Sequence, residues 1–165
     1  MDAAHLHLIL NHFPILGTLF GIGLLAHGIL AKNTSTQNAG LMLFLIIALI
    51  SIPAFLTGEG AEETVEHLPG VSENLINIHE EWAEKAVWLM GFLGLLSASN
   101  LFFFIKKRPV AKALTLTTLV VALVTFGMMA QVGNLGGQIR HTEIQKFTDQ
   151  TTLSGKFEMK REVEH

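Results

Sequence analysis

The sequence predicts an all-α integral membrane protein, a four-helix bundle with both termini on the same, outer side. Three observations lead there. Half of the 165 residues are apolar and only 15% are charged, with a mean hydropathy of +0.45, which lies on the membrane side of the usual compositional boundary. Four segments, 3–31, 39–57, 86–105 and 113–139, contain no Asp, Glu, Lys or Arg, and each matches the roughly 20 residues needed to cross a hydrocarbon core of about 30 Å. The short loop 106–112 collects Lys106, Lys107, Arg108 and Lys112, whereas 59–84 is acidic, an asymmetry that orients multi-pass proteins with their basic loops inside.

The first segment opens with His5, His7 and His12. It lacks the basic flank of a signal peptide and is too long for its apolar core, so it is expected to stay as a membrane helix over 5–31. Asp2 could cap a helix starting at Ala3, or Asn11 one starting near His12. Pro14 favours the second start or a kink, because proline removes an amide donor. A helix over 13–31 alone would span about 28 Å at ~1.5 Å per residue. Gly17 and Gly21 form a G-x-x-x-G pair, a spacing of closely packed membrane helices.

The polar loop 32–38 is short enough for an antiparallel hairpin to a second helix over 39–57. Glu59, Glu62, Glu63, Glu66, Glu73, Glu80, Glu81 and Glu84 then follow against a single base, Lys85. The third helix is expected over 79–105 and the fourth over 110–139. The bundle is assigned to 1–141, and 142–165 reads as a polar tail whose sparse apolar residues could dock on the bundle or a partner. The positive-inside rule puts loops 32–38 and 106–112 in the cytoplasm and both termini in the periplasm or outside the cell, in the bacterial inner membrane.

Composition also excludes chemistry. There is no cysteine, which removes disulfides, thiolate metal sites, iron–sulfur ligation and covalently attached haem. A formal charge of −3 without a basic stripe argues against nucleic acid. No phosphate-binding loop, dinucleotide fingerprint, nucleophile elbow or H-E-x-x-H occurs; His79-Glu80-Glu81-Trp82 starts like the last and fails at its final position.

The histidines are the chemical signal, because an imidazole in lipid is unfavourable unless paired, metal-bound or facing a cavity. His5, His7 and His12 open the first helix, His67 lies in the acidic loop, His79 opens the third helix and His141 follows the fourth. The topology therefore gathers six at one end, while His27 lies toward the other. His12, His79 and His141 are the favoured ligands. His5, His7 and His67 read as solvated interfacial side chains, with His7 and His67 as additional ligand candidates. Ala83 and Ala86 on the His79 face, and Gly133, Gly136 and Gly137 before His141, leave room for a flat macrocycle or a closely packed helix.

His12-Phe13-Pro14, the His79-Glu80 pair and Gly136-Gly137-Gln138-Ile139-Arg140-His141 together resemble a large family of small bacterial predicted membrane proteins. That family has four helices, is often catalogued as a domain of unknown function, and is fused in some members to a Rieske iron–sulfur domain. The resemblance covers roughly 5–145 and implies a respiratory or other electron-transfer setting, with His12, His79 and His141 as ligands of haem b or a metal. This chain departs from it in its acidic loop with His67 and in lacking a Rieske Cys/His motif, so its electron partner would be a redox protein or a quinone.

The expected function is thus a membrane-bound b-type cytochrome holding one or two haems near the outer face, an electron carrier rather than a stand-alone enzyme. Two neutral imidazoles can bind one iron axially, and Arg140 could pair with a propionate. His12 and His27 lie toward opposite faces of one helix, but segments three and four offer no matching pair, so the haems should crowd the outer end. A second reading needs no porphyrin: Glu63, Glu66, His67, His79, Glu80 and Glu84 are ligands of the kind that bind iron, copper or zinc in an oxidase or metal-handling protein. A third is a small ion or proton transporter, as a homodimer with a pore, or a scaffold. It is weakened by the lack of charge deep inside any segment.

Overall fold

The computed structural model describes residues 3–66, 71–109 and 112–140. Those residues form six helices and no strand: α1 Ala3–Leu10, α2 His12–Leu30, α3 Thr34–Leu56, α4 Gly58–Val65, α5 Glu73–Ile105 and α6 Lys112–Arg140. Four helical runs are long and apolar enough to cross a membrane, α1 with α2, α3 with α4, α5, and α6. A multi-pass membrane bundle is the architecture.

Both starts weighed for the first segment occur. Asn11 interrupts the run with helical torsions of φ −62° and ψ −22° and makes no side-chain cap. Pro14 explains the interruption: its ring would collide with the carbonyl four residues earlier, which is Leu10, the last residue of α1. Its missing amide falls in the first turn of α2, where no intrahelical acceptor is lost. The Thr18 hydroxyl then donates to the Pro14 carbonyl at 2.6 Å.

α2 and α5 end alike. Lys32 (φ 53°) and Lys107 (φ 50°) take the left-handed conformation, and the following amides close back, Asn33 N on Gly28 O at 2.8 Å and Arg108 N on Phe103 O at 2.9 Å. This is the six-to-one closure that satisfies orphan carbonyls at helix ends. α3 starts at Thr34, ahead of the expected 39, because the Asn33 side chain accepts from Thr36 N at 3.1 Å and caps it. α5 likewise starts at Glu73 instead of 79, where Ile76 is buried and rewards the added turns. Its 33 residues span about 50 Å at ~1.5 Å per residue. That exceeds a hydrocarbon core of about 30 Å, so the acidic first turns project past the apolar length. α4, inside the acidic loop, packs beside α1.

The four long elements pack in the ring α2, α3, α5, α6, with α6 closing on α2. Leu25, Phe44, Ala86, Met90, Leu93 and Ala122 form its sealed centre. Glycine sets the α2–α3 approach: Phe44 fills the place of a Gly21 side chain and Ile47 that of Gly17. At Gly40 a Cβ would stand 2.8 Å from the backbone nitrogen of Leu25 and 3.0 Å from the Gly21 carbonyl, so the two backbones nearly touch.

Toward the basic end, Asn100 ties α5 to α6. Its amide donates to Thr118 Oγ1 at 3.0 Å and accepts from Thr115 at 3.1 Å. Such bonds between membrane helices are worth on average about 0.6 kcal/mol and at most about 1.7. Asn100→Leu, which removes both bonds, should therefore lower unfolding stability in detergent by about 1 kcal/mol. Gly40→Val, opposed by backbone rather than by a movable side chain, should reach or exceed the roughly 1–3 kcal/mol of an overpacked core. Unfolding titrations of both variants check this order.

Candidate functional site

The end of the bundle that holds the N-terminus is built from the start of α1, the ends of α3 and α6, the start of α5, and α4. Ala3 on α1 faces Gly60 of α4, and Ile15 on α2 faces Gly133 of α6. Six histidines are expected at this end; four, His5, His7, His12 and His79, lie on described residues. His67, His141 and the tail 142–165 lie outside the described residues. Of Arg140 only the backbone, at the end of α6, is described.

His7 is half-buried, and its Nδ1 lies 2.9 Å from the Ala54 carbonyl of α3, with the Thr57 hydroxyl at 3.5 Å. His79, half-buried on α5, places its Nδ1 3.1 Å from the Val132 carbonyl of α6. Gly136 admits that ring: a Cβ there would stand 3.1 Å from His79 Cε1. Both rings lie at the same end of the bundle, His7 against the end of α3 and His79 against α6. His7 thus ties α1 to α3, and His79 ties α5 to α6.

His12 is placed differently. Its ring is exposed, its Nδ1 lies 3.1 Å from the Leu8 carbonyl one turn back, and it borders a surface groove between α2 and α3.

A common feature joins the three. A backbone carbonyl can only accept, so each Nδ1 must carry the proton, and each neutral ring keeps a bare Nε2 lone pair. A ligand histidine held by a carbonyl on its other nitrogen has this arrangement, which fixes both tautomer and ring direction. Nearby, Asn11 Oδ1 is buried without a hydrogen-bond partner. Asn11 stands one turn from His7, whose carbonyl accepts its amide at 2.9 Å. A buried acceptor without a donor requires explanation, and a bound group carrying a donor would supply one.

The carboxylates assemble less. Glu80, Glu66 and Glu59 lie within electrostatic reach of Glu62, on the helix that packs beside α1. Glu63, Glu80 and Glu84 are exposed, and Lys85 pairs with Glu81 at 3.3 Å. Among the described residues no three His, Asp or Glu side chains converge as a metal ion would require. Glu62, which the non-haem set leaves out, is the carboxylate most surrounded by others; its place on the inner side of α4 depends on a helix that acidic composition does not announce.

Class is therefore defined at the level of a polytopic four-helix membrane bundle with a histidine pair at one end. Comparison with known family models, curated proteins and solved structures finds no match.

The tautomers are directly measurable. Nitrogen-15 spectra of metal-free protein with labelled histidine should show His7, His12 and His79 neutral and protonated on Nδ1 near pH 8. Protonation on Nε2 instead would remove the carbonyl anchors.

Proposed function

We propose that this chain is a b-type cytochrome of the bacterial inner membrane that carries electrons between membrane-associated partners. The observation that carries the reading is that two half-buried imidazoles at one end of the bundle, His7 on α1 and His79 on α5, are each anchored through Nδ1 to a backbone carbonyl and each present a bare Nε2. Two neutral imidazoles are the donor chemistry that would hold the iron of a b-type haem. Gly136 under the His79 ring adds space for a bound group.

In this reading His7 and His79 hold haem b, which supplies reversible one-electron chemistry when bound. Ala54 and Val132 act through their carbonyls, keeping both rings in the ligating tautomer and raising their basicity. The packed apolar bundle below, with Ile76 and Ala86 buried on α5, restricts water on that side. The glutamates of α4 and the first turns of α5 surround the site with negative charge, which favours encounter with a basic redox protein over an acidic one. Lys32, Lys106, Lys107, Arg108 and Lys112 mark the opposite end, and the positive-inside rule turns it to the cytoplasm. The histidine end and both termini then face outward. The family resemblance of the H-F-P, His-Glu and G-G-x-x-x-H motifs supports the same electron-transfer setting.

Absorption spectra of the purified protein, as isolated and after dithionite, are the test. Low-spin haem should give a sharp Soret band with resolved α and β bands on reduction. His7→Ala and His79→Ala should each abolish that spectrum, and His12→Ala should retain it. Loss in His141→Ala or His67→Ala with retention in His7→Ala would replace His7 as ligand. Stoichiometric iron, copper or zinc without a Soret band would overturn the cytochrome reading in favour of the glutamate and histidine site, and absence of both haem and metal from membranes of the native host would leave transport or scaffolding.

A further inference from the structure

The groove beside His12 has a composition of its own. It encloses about 320 Å³, within the roughly 300–1,000 Å³ range of small-molecule sites. Phe13, Leu16 and Phe20 of α2 and Leu43 and Ile47 of α3 line it, and His12 is its one polar side chain. Phe13 is 48% exposed and Phe20 64%, so two phenyl rings stand open along an apolar slot with an imidazole at its end. The groove exists because Gly17 lets Ile47 into the α2–α3 seam, which recesses the surface between the larger side chains on either side.

The His12 tautomer selects what fits. Its Nδ1 proton is committed to the Leu8 carbonyl at 3.1 Å, so Nε2 can only accept. An acyl chain offers no donor, and an oxidised quinone offers only carbonyls. A hydroquinone offers a flat ring for the phenyl faces, a hydroxyl for Nε2 and an apolar tail for the lipid.

We infer that this groove binds the ring of a membrane hydroquinone, with one ring hydroxyl donating to His12 Nε2 and Phe13 and Phe20 against the ring. The inference names the partner of the electron-transfer reading and rests on it for its purpose, while the binding itself needs no haem. It also gives His12 a task separate from that of His7 and His79. The reduced ligand binds better than the oxidised one, because only the former has a proton to give.

The experiment is photolabelling of the full chain in lipid nanodiscs with an azidoquinone, with decylubiquinol as competitor under anaerobic reduction. Labels should map to peptides covering 12–20 and 43–47. Decylubiquinol should compete up to about tenfold better than decylubiquinone or its dimethyl ether, the factor expected for one hydrogen bond. His12→Phe, which keeps a ring without the acceptor, should erase that preference while residual labelling persists, and Phe20→Ala should weaken labelling by both forms. Equal competition by all three compounds, or by a plain alkyl chain, would overturn the inference and leave an acyl-chain groove. So would labels elsewhere in the chain. Haem spectra of the same samples separate the two readings: selective labelling without a Soret band retains the groove and removes the cytochrome, and a Soret band with unselective labelling does the reverse.

Discussion

The close approach of α2 and α3 is the constraint on which the remaining structure depends. Water is absent from a bilayer core, so helices there associate through packing contacts and not by hiding apolar surface from solvent. Glycine makes those contacts short. Phe44 lies on Gly21 and Ile47 on Gly17, and near Gly40 one backbone meets the other. This seam sets the rotation of α2 about its axis. It thereby sets which face of the continuous α1–α2 run looks inward, where His7 reaches Ala54, and which looks outward, where His12 borders the groove.

Polar groups are handled by the same economy. Thr18, Ser51, Thr118 and Thr125 are buried, and each hydroxyl donates to the carbonyl four residues earlier, within its own helix. His7 and His12 use carbonyls in the last turns of α3 and α1, where the ladder runs out, whereas His79 shares the Val132 carbonyl inside α6. Ala54 and Thr57 lie in the last turn of α3 and its cap, beyond the Pro53 that loosens it. A helix end supplies spare acceptors, and an imidazole supplies the donor; the result is a ring fixed in direction with its other nitrogen free.

Charge separates the two ends. The long α5 carries glutamates beyond its apolar length, α4 adds more beside them, and the left-handed Lys32 and Lys107 close helices at the far end. The histidine pair consequently lies where an apolar interior meets an acidic outer surface. That position combines a low dielectric on one side with access for a charged partner on the other, and both conditions suit a redox centre.

The four long apolar helices and their order were legible in residue types alone, because an uncharged run of about 20 residues has few other stable environments. Legible too were the break near Asn11, which Pro14 announces by its geometry, and the gathering of histidines at one end, which follows from counting helices. Their anchoring was not. His12 stands beside the H-F-P motif and drew the reading toward itself; the structure places it at the surface groove between α2 and α3 and turns His7, five residues earlier, to the end of α3. The anchors of His7 and His79, the Ala54 and Val132 carbonyls, are backbone atoms that every residue possesses, so no residue type could point to them. Helix α4 was equally hidden, since glutamates in a row describe a solvated loop as well as a helix until α1 packs alongside. Periodicity and charge act locally and are written in the chain; which carbonyl each imidazole meets depends on how four rigid helices rotate against one another, and only their packing decides that.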